Sequence, residues 1–272
     1  MKIITVILTL FLALNVSSQE TPSEYIKKAN KYLFNKDYDE ALELFQYVVE
    51  NFPNNKAYSN ALLNIGYIHF IQEDYDEAIE IFEEVLNLKP EEDIKLNGYS
   101  YLKHDACAMM SDIYYEEGEY ESSLYYLSLS DTTYPYRGMC GNGNVEIGIQ
   151  RALRYSELYL ELDNETKAIE ALMDYAFTDL ANNDEILEEL EELLDGKKNL
   201  VEKFDAAVND MYPKAFDRDG DKFKMYYFKF LDAEIWVPNS YEGGTRTFDK
   251  LNGMKVMKSS SFYQMISELD KP

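Results

Sequence analysis

Side chains suited to covalent or metal chemistry are scarce in this chain, which has two cysteines and two histidines among 272 residues. His69, His104, Cys107 and Cys140 form no CxxC or other zinc-ligand spacing, so a metal centre of that kind is not expected. Also absent are the nucleophile elbow GxSxG, the phosphate-binding P-loop, the HExxH zinc helix and the glycine fingerprint of dinucleotide folds. No cofactor is expected. Cations are few as well: 26 lysines and arginines stand against 51 acids, a formal charge of -25. A chain so short of positive charge does not suit nucleic-acid phosphates or an anionic membrane surface. It favours solubility and a basic partner, although a solvating coat on long helices accounts for the same excess.

Long apolar runs are confined to the beginning. Lys2 precedes an apolar or Thr-containing stretch, Ile3 to Leu14, and Val16-Ser17-Ser18 places small residues where a signal peptidase reads. Residues 1–18 are expected to be a signal peptide, leaving Gln19 as the mature N-terminus of an exported protein, periplasmic or secreted. The stretch falls short of the roughly 20 apolar residues a bilayer span needs, and no later segment qualifies. In an exported protein Cys107 and Cys140 are candidates for a disulfide. The alternative is a small buried Cys107 on a helix and a free Cys140 in a loop.

What the chain has in abundance is self-similarity. Asn35-Lys36-Asp37-Tyr38-Asp39-Glu40-Ala41-Leu42-Glu43-Leu44-Phe45 returns 37 residues later as Gln72-Glu73-Asp74-Tyr75-Asp76-Glu77-Ala78-Ile79-Glu80-Ile81-Phe82. A period of this length is one helix pair, which cannot bury its apolar face alone and must stack on its neighbours. Tyr25, Ala29 and Tyr32 line one face of a first helix. Tyr38, Leu42, Phe45 and Val49 line a second that Pro53 ends. Leu62, Ile65, Gly66 and His69 repeat the first face, and Ala78, Phe82 and Val85 the second, up to Pro90. Asp37 with Glu40, and Asp74 with Glu77, have the spacing of a capping box. Ala29, Gly66, Ala41 and Ala78 are small where helices must approach closely.

These positions resemble the tetratricopeptide repeat (TPR) family. Its slots fall on Tyr25, Lys28-Ala29, Tyr32, Ala41, Phe45 and Pro53, then on Leu62, Ile65-Gly66, His69, Ala78, Phe82 and Pro90. The departures are Lys28, where the family prefers Leu, and His69, where it prefers an aromatic ring. A weaker third copy reads Cys107, Met110-Ser111, Tyr114, Ser123, Leu127 and Pro135, behind an inserted loop or a longer first helix. A fourth reads Tyr155-Ser156, Tyr159, Ala168 and Leu172, with Asp163-Asn164 at the turn and Leu180 in the proline slot. The glycine- and asparagine-rich stretch 136–144 between them is expected to be a loop.

The resemblance implies an all-α helical-hairpin solenoid over 21–183. Beyond it, 184–213 reads as a capping helix pair. The acidic first helix carries Ile186, Leu187, Leu190, Leu193 and Leu194. Residues 214–272 read as a small α+β tail. There Lys222–Phe230 and Ile235–Val237 form a hairpin turning at 231–234, and a last helix spans 261–269. Asp217-Arg218-Asp219-Gly220-Asp221 has alternating oxygen ligands but lacks the rest of a calcium loop, so an acidic turn is the preferred reading.

By the family's geometry the first helices line a groove that holds a protein or peptide. Its candidate residues are Asn30, Leu33 and Phe34, then Asn60, Leu63, Tyr67 and Phe70. Asp112 and Tyr115 follow, then Leu153, Glu157 and Leu160. The alternative for several of these side chains is internal packing. A Lys/Arg clamp for acidic peptide tails is not present, since Lys27 is followed at the equivalent positions by Asn64 and Met109. The reading is a non-catalytic exported scaffold. An enzyme or metal-dependent module in the tail, and self-association through the stack ends or a hairpin edge, are the alternatives.

Overall fold

The computed structural model describes residues 20–89, 98–135, 141–178, 181–218, 221–238, 240, 242–243 and 247–271. The expected signal peptide, Pro90, Cys140, Leu180, Asp219 and Gly220 lie outside the described residues. The first helix, α1 (Pro22–Phe34), opens on a true capping box. The Thr21 hydroxyl accepts from the Glu24 amide at 3.3 Å, and the Glu24 carboxylate accepts from the Thr21 amide at 2.7 Å. Pro22 occupies the first turn, where its missing N–H costs nothing.

Three further pairs follow the same plan. Helix α2 (Tyr38–Asn51) closes the first hairpin, α3 (Ala57–Ile71) and α4 (Tyr75–Asn87) form the second, and α5 (Gly98–Glu116) and α6 (Tyr120–Thr132) the third. Helices α7 (Gly141–Glu161) and α8 (Glu165–Met173) make the fourth. All four turns are built alike. Lys36, Glu73, Gly118 and Asp163 take left-handed φ of 64°, 63°, 76° and 55°. The following amide reaches back across the turn, from Asp37 to the Tyr32 carbonyl and from Asp74 to the His69 carbonyl. Glu119 reaches Tyr114, and Asn164 reaches Tyr159, in the same way. This is the Schellman closure, which satisfies the last carbonyls of the first helix. It corrects one expectation: neither Asp37 nor Asp74 caps the next helix with its side chain. Each lends its main-chain N–H to the turn.

The small residues lie where the repeat pattern puts them. Ala29, Ala41 and Ala78 are fully buried. A Cβ on Gly66 would stand 2.6 Å from the Phe82 ring, so only glycine lets α3 close on α4 there. In the third hairpin the slots hold Ser111 and Ser123, both buried. Their hydroxyls meet at 3.0 Å, and the Ser123 hydroxyl also donates to the Ser111 carbonyl at 2.7 Å. The paired hydroxyls satisfy each other, so the departure from alanine costs no orphaned polar group. Phe45 and Phe82 anchor the first two cores, each fully buried and worth about 1.5–3 kcal/mol by area removed from water.

The chain divides into two compact units, 1–136 and 137–272. The expected single repeat region over 21–183 is therefore split, and the fourth hairpin belongs to the second unit. The reason lies in its apolar face. Ile149, Ala152, Ile169, Leu172 and Met173 share one core with α9 (Asp184–Leu194), α10 (Leu200–Asn209) and the sheet beyond them. The expected capping pair is thus part of a mixed α+β core.

A second correction concerns Gly141–Asn144, expected as loop, which forms the first turn of α7. In a first turn the amides have no helical partner in any case, and the amphipathic run behind carries the helix. Within α7, a Cβ on Gly148 would fall 2.0 Å from the Tyr175 hydroxyl oxygen, which needs that space. The inserted segment before the third hairpin includes a long first helix, α5, beginning at Gly98.

The tail has three strands where two were expected. Strands β1 (Tyr212–Arg218), β2 (Asp221–Phe230) and β3 (Ala233–Trp236) form an antiparallel meander in the order β1-β2-β3. Arg218 pairs with Asp221 at one end of the first pair, and Phe230 pairs with Ala233, so Leu231 and Asp232 make a two-residue loop between β2 and β3. Leu231 and Asp232 both take positive φ, 50° and 67°, as the tight hairpin loop that matches strand twist requires. One sheet face presents Phe228 and Phe230 to Phe204 of α10, with ring centroids 5.6 and 5.5 Å away. Helices α11 (Lys250–Lys258) and α12 (Ser261–Leu269) follow, and Phe262 and Ile266 of α12 are fully buried. The last helix falls where the sequence puts it, whereas α11 was not expected.

Candidate interaction surface

In the first unit, α3 packs beside both α1 and α5, so the first helices of the three hairpins share one face. Position on that face follows from helical geometry. Ala29, Gly66 and Ser111 point at the partner helix, and the residue after each is turned about 100° away from it. Those residues are Asn30, Tyr67 and Asp112. Asn30 and Asp112 are exposed, and Tyr67 keeps 37 % of its surface open. They form a row of one amide, one phenol and one carboxylate across the three helices. Phe34 at the end of α1 is 88 % exposed, an unusually high value for a ring of that size. Asn60 is exposed, and its backbone carbonyl and side-chain oxygen accept from the Asn64 amide at 2.8 and 3.2 Å.

Other candidates are engaged elsewhere. The Phe70 ring lies 6.3 Å from Tyr75, and the Tyr115 ring 5.5 Å from Tyr120. Both rings brace their own hairpin turns and are only half exposed. Leu63 is buried and Leu33 packs on the first core. Glu157 follows Ser156 as Asp112 follows Ser111, but it lies on α7 in the second unit, in an ion pair with Arg154 at 2.9 Å. Leu153, on the same helix, packs on the second unit's core. The structure thus gathers Asn30, Tyr67 and Asp112 with Phe34 and Asn60 on the first unit. Asn64, a neighbour in the same surface, is the member that groove reasoning had set aside. Its signal was the four-residue spacing from Asn60.

The electrostatics of this face are acidic and partly buried. Asp105, half-buried on α5, has its pKa raised by burial, with the neighbouring His104 opposing. His104 is itself structural. Its Nδ1–H donates to the carbonyls of Ser130 at 3.1 Å and Tyr134 at 2.8 Å, tying α5 to the end of α6. His69 Nδ1 stands 3.6 Å from the Asp74 carboxylate, beside the second turn. Cys107 is fully buried in the third hairpin and forms no disulfide among the described residues. Burial pushes its thiol up to about 12, so it is protonated and inert at neutral pH. Asp217, Arg218 and Asp221, of the acidic stretch, are paired strand residues at a hairpin end.

Tandem helix pairs closing on small residues, with the first helices of the first unit exposing one mixed polar and aromatic face, define a helical-repeat architecture. Residues 25–91 match the family model of the tetratricopeptide repeat, so the first two hairpins carry that repeat. Repeats of this kind serve as scaffolds for protein–protein interaction. No curated protein matches the chain. Among the described residues, no helix is long and apolar enough to cross a membrane.

Proposed function

We propose that the protein is an exported, non-catalytic scaffold that holds a segment of another protein against the face formed by α1, α3 and α5. The observation that carries this reading is the row Asn30, Tyr67 and Asp112, with Phe34 open beside it, on the repeat helices. A phenol and an exposed ring supply apolar contact, amides take up peptide N–H and C=O groups, and carboxylates select basic residues. The acid excess of the whole chain works in the same direction by speeding encounter with a cationic segment. Export rests on the apolar start of the chain, and N-terminal sequencing of the protein from its native cell should read from Gln19.

A photo-crosslinking residue at Tyr67 tests the face directly. It should link to one discrete partner in the native cell, and Asn30→Ala with Asp112→Ala should weaken that link while helix content is kept. The same label at Glu80, on the second helix α4, should give no such product. Equal labelling from both positions would count against this face.

A further inference from the structure

The face formed by α1, α3 and α5 is graded in charge, and the repeat offset shows the grading helix by helix. Residues seven back, three back and four on from Asn30, Tyr67 and Asp112 share their side of each helix. On α1 these places set Lys27 and Phe34 beside Asn30, and no acid. On α3 they set Asn60 and Asn64 beside Tyr67, and no charge. On α5 they set Asp105 and Glu116 beside Asp112, and no cation. In a chain with 51 acids, two neighbouring strips without a carboxylate set the third apart. The acids stand at one end of the row and the open ring of Phe34 at the other.

Asp105 is the least exposed of the three acids: it is half-buried, whereas Asp112 and Glu116 are exposed. Burial raises its pKa, and only His104 acts against the rise; among the described residues no lysine or arginine pairs with it. The His104 Nδ1–H is itself committed to the Ser130 and Tyr134 carbonyls. A carboxylate partly withdrawn from water attracts an arriving cation more strongly than one on the open surface, because the effective dielectric constant is lower. In the middle of the row, the Asn64 amide donates to the Asn60 carbonyl and side-chain oxygen. The Asn60 amide group and the Asn64 side-chain oxygen make no further bond among the described residues. They offer one donor and one acceptor to an extended main chain, whose N–H and C=O groups are open as those of a helix are not. Neighbouring helices lie about 8–10 Å apart, so the row from α1 to α5 spans about six residues of extended chain.

We infer that the segment held on this face has a fixed order of charge: a lysine or arginine at the end over α5, seated on Asp105, and an uncharged apolar residue at the end over α1, against Phe34. This order rests on the groove reading and adds to it which residue anchors the segment and which way round the segment lies. Lys27 enforces the order, since a cation brought to the α1 end meets a like charge there, while an acid brought to the α5 end meets three. A reversed segment is therefore disfavoured at both ends.

A displayed library of random peptides, selected on the full chain, tests the order without a known partner. Clones that lose binding to Tyr67→Ala are those seated on the face. Among these, lysine or arginine should gather at one end and apolar residues at the other. Asp105→Asn, which keeps the shape of the side chain, should weaken them about tenfold or more. Selection repeated on Asp105→Lys should move the preference at the basic end to aspartate or glutamate and leave the apolar end unchanged. Phe34→Asp, at an exposed position, should do the converse. Helix content of each variant, read by circular dichroism, should match the native chain. Clones that depend on Tyr67 but show no basic end, or bind Asp105→Asn as tightly as the native chain, would overturn the order while the groove reading stands. If no clone depends on Tyr67, the groove reading fails and the order fails with it.

Discussion

Ser156 occupies the slot that Ser111 fills one hairpin earlier, but faces Ala168 where Ser111 faces Ser123. Its hydroxyl is buried and finds no hydrogen-bond partner among the described residues. The same substitution should therefore have opposite signs at two equivalent places. Ser156→Ala removes an unsatisfied hydroxyl and should stabilise the second unit by about 1 kcal/mol. Ser123→Ala strands the Ser111 hydroxyl and should destabilise by about 1–3 kcal/mol. Chemical denaturation of both variants checks the pair. The slots themselves were legible from the offset of 12 residues between Ala29 and Ala41, kept by Gly66–Ala78, Ser111–Ser123 and Ser156–Ala168. The partnering was not legible, because one sequence offset places two side chains face to face without fixing which of them can donate.

Among elements, α10 has an unusual start. Asn199 before it is left-handed, with φ 58°, and gives no side-chain cap. The cap comes from Asp270, at the end of α12, whose carboxylate accepts from the Leu200 and Val201 amides at 2.9 and 2.8 Å. Those two main-chain bonds hold its pKa below the ordinary carboxylate value. A depressed carboxyl contributes stability above its unfolded pKa and loses it as pH falls through the folded pKa. Asp270→Asn should therefore lower the melting temperature of the second unit at about pH 7, with the difference closing at about pH 2. Melting followed by Trp236 emission at the two pH values checks this.

A contact between residues 70 positions apart has no local signature. The repeat helices, by contrast, were legible because each carries its own periodicity. Strand β1 lay between these cases. Asp219-Gly220 is a strong hairpin dipeptide, but its acidic neighbours invited comparison with a calcium loop and drew attention from the alternation on either side. Helix α11 gave little sign of itself: Leu251 and Val256 are exposed, so no apolar stripe announces it. On the first unit's face, Asn30, Tyr67 and Asp112 could be read from the repeat offset. The turn-bracing roles of Phe70 and Tyr115 could not, since their partners Tyr75 and Tyr120 are set by the turn and not by the period.

For the whole molecule, the division at residue 136 is the feature that repeat counting obscures. The fourth hairpin keeps the family offsets and the same turn as the others, yet its apolar face is shared with α9, α10 and the sheet. Sequence similarity reports how a hairpin closes on itself, whereas the identity of its neighbour is decided by shape at longer range. Charge acts on the molecule as a whole. At a formal -25 the folded chain repels itself, and screening relieves that repulsion. Raising sodium chloride from about 10 mM to about 300 mM, which shortens the Debye length from about 30 Å to about 6 Å, should raise the melting temperature. A melting temperature that falls with salt would show that surface ion pairs such as Lys197–Glu165, at 2.6 Å, outweigh the net repulsion.

The doubled hydroxyl contact of the third hairpin has a consequence beyond energy. Alanine against alanine is smooth, and two helices meeting there could slip along each other by part of a turn with little penalty. Ser111 and Ser123 work like a tooth and its notch: a slip would break both bonds at once in a place water cannot reach. The third hairpin therefore has its axial setting keyed by chemistry where the first two rely on fit alone.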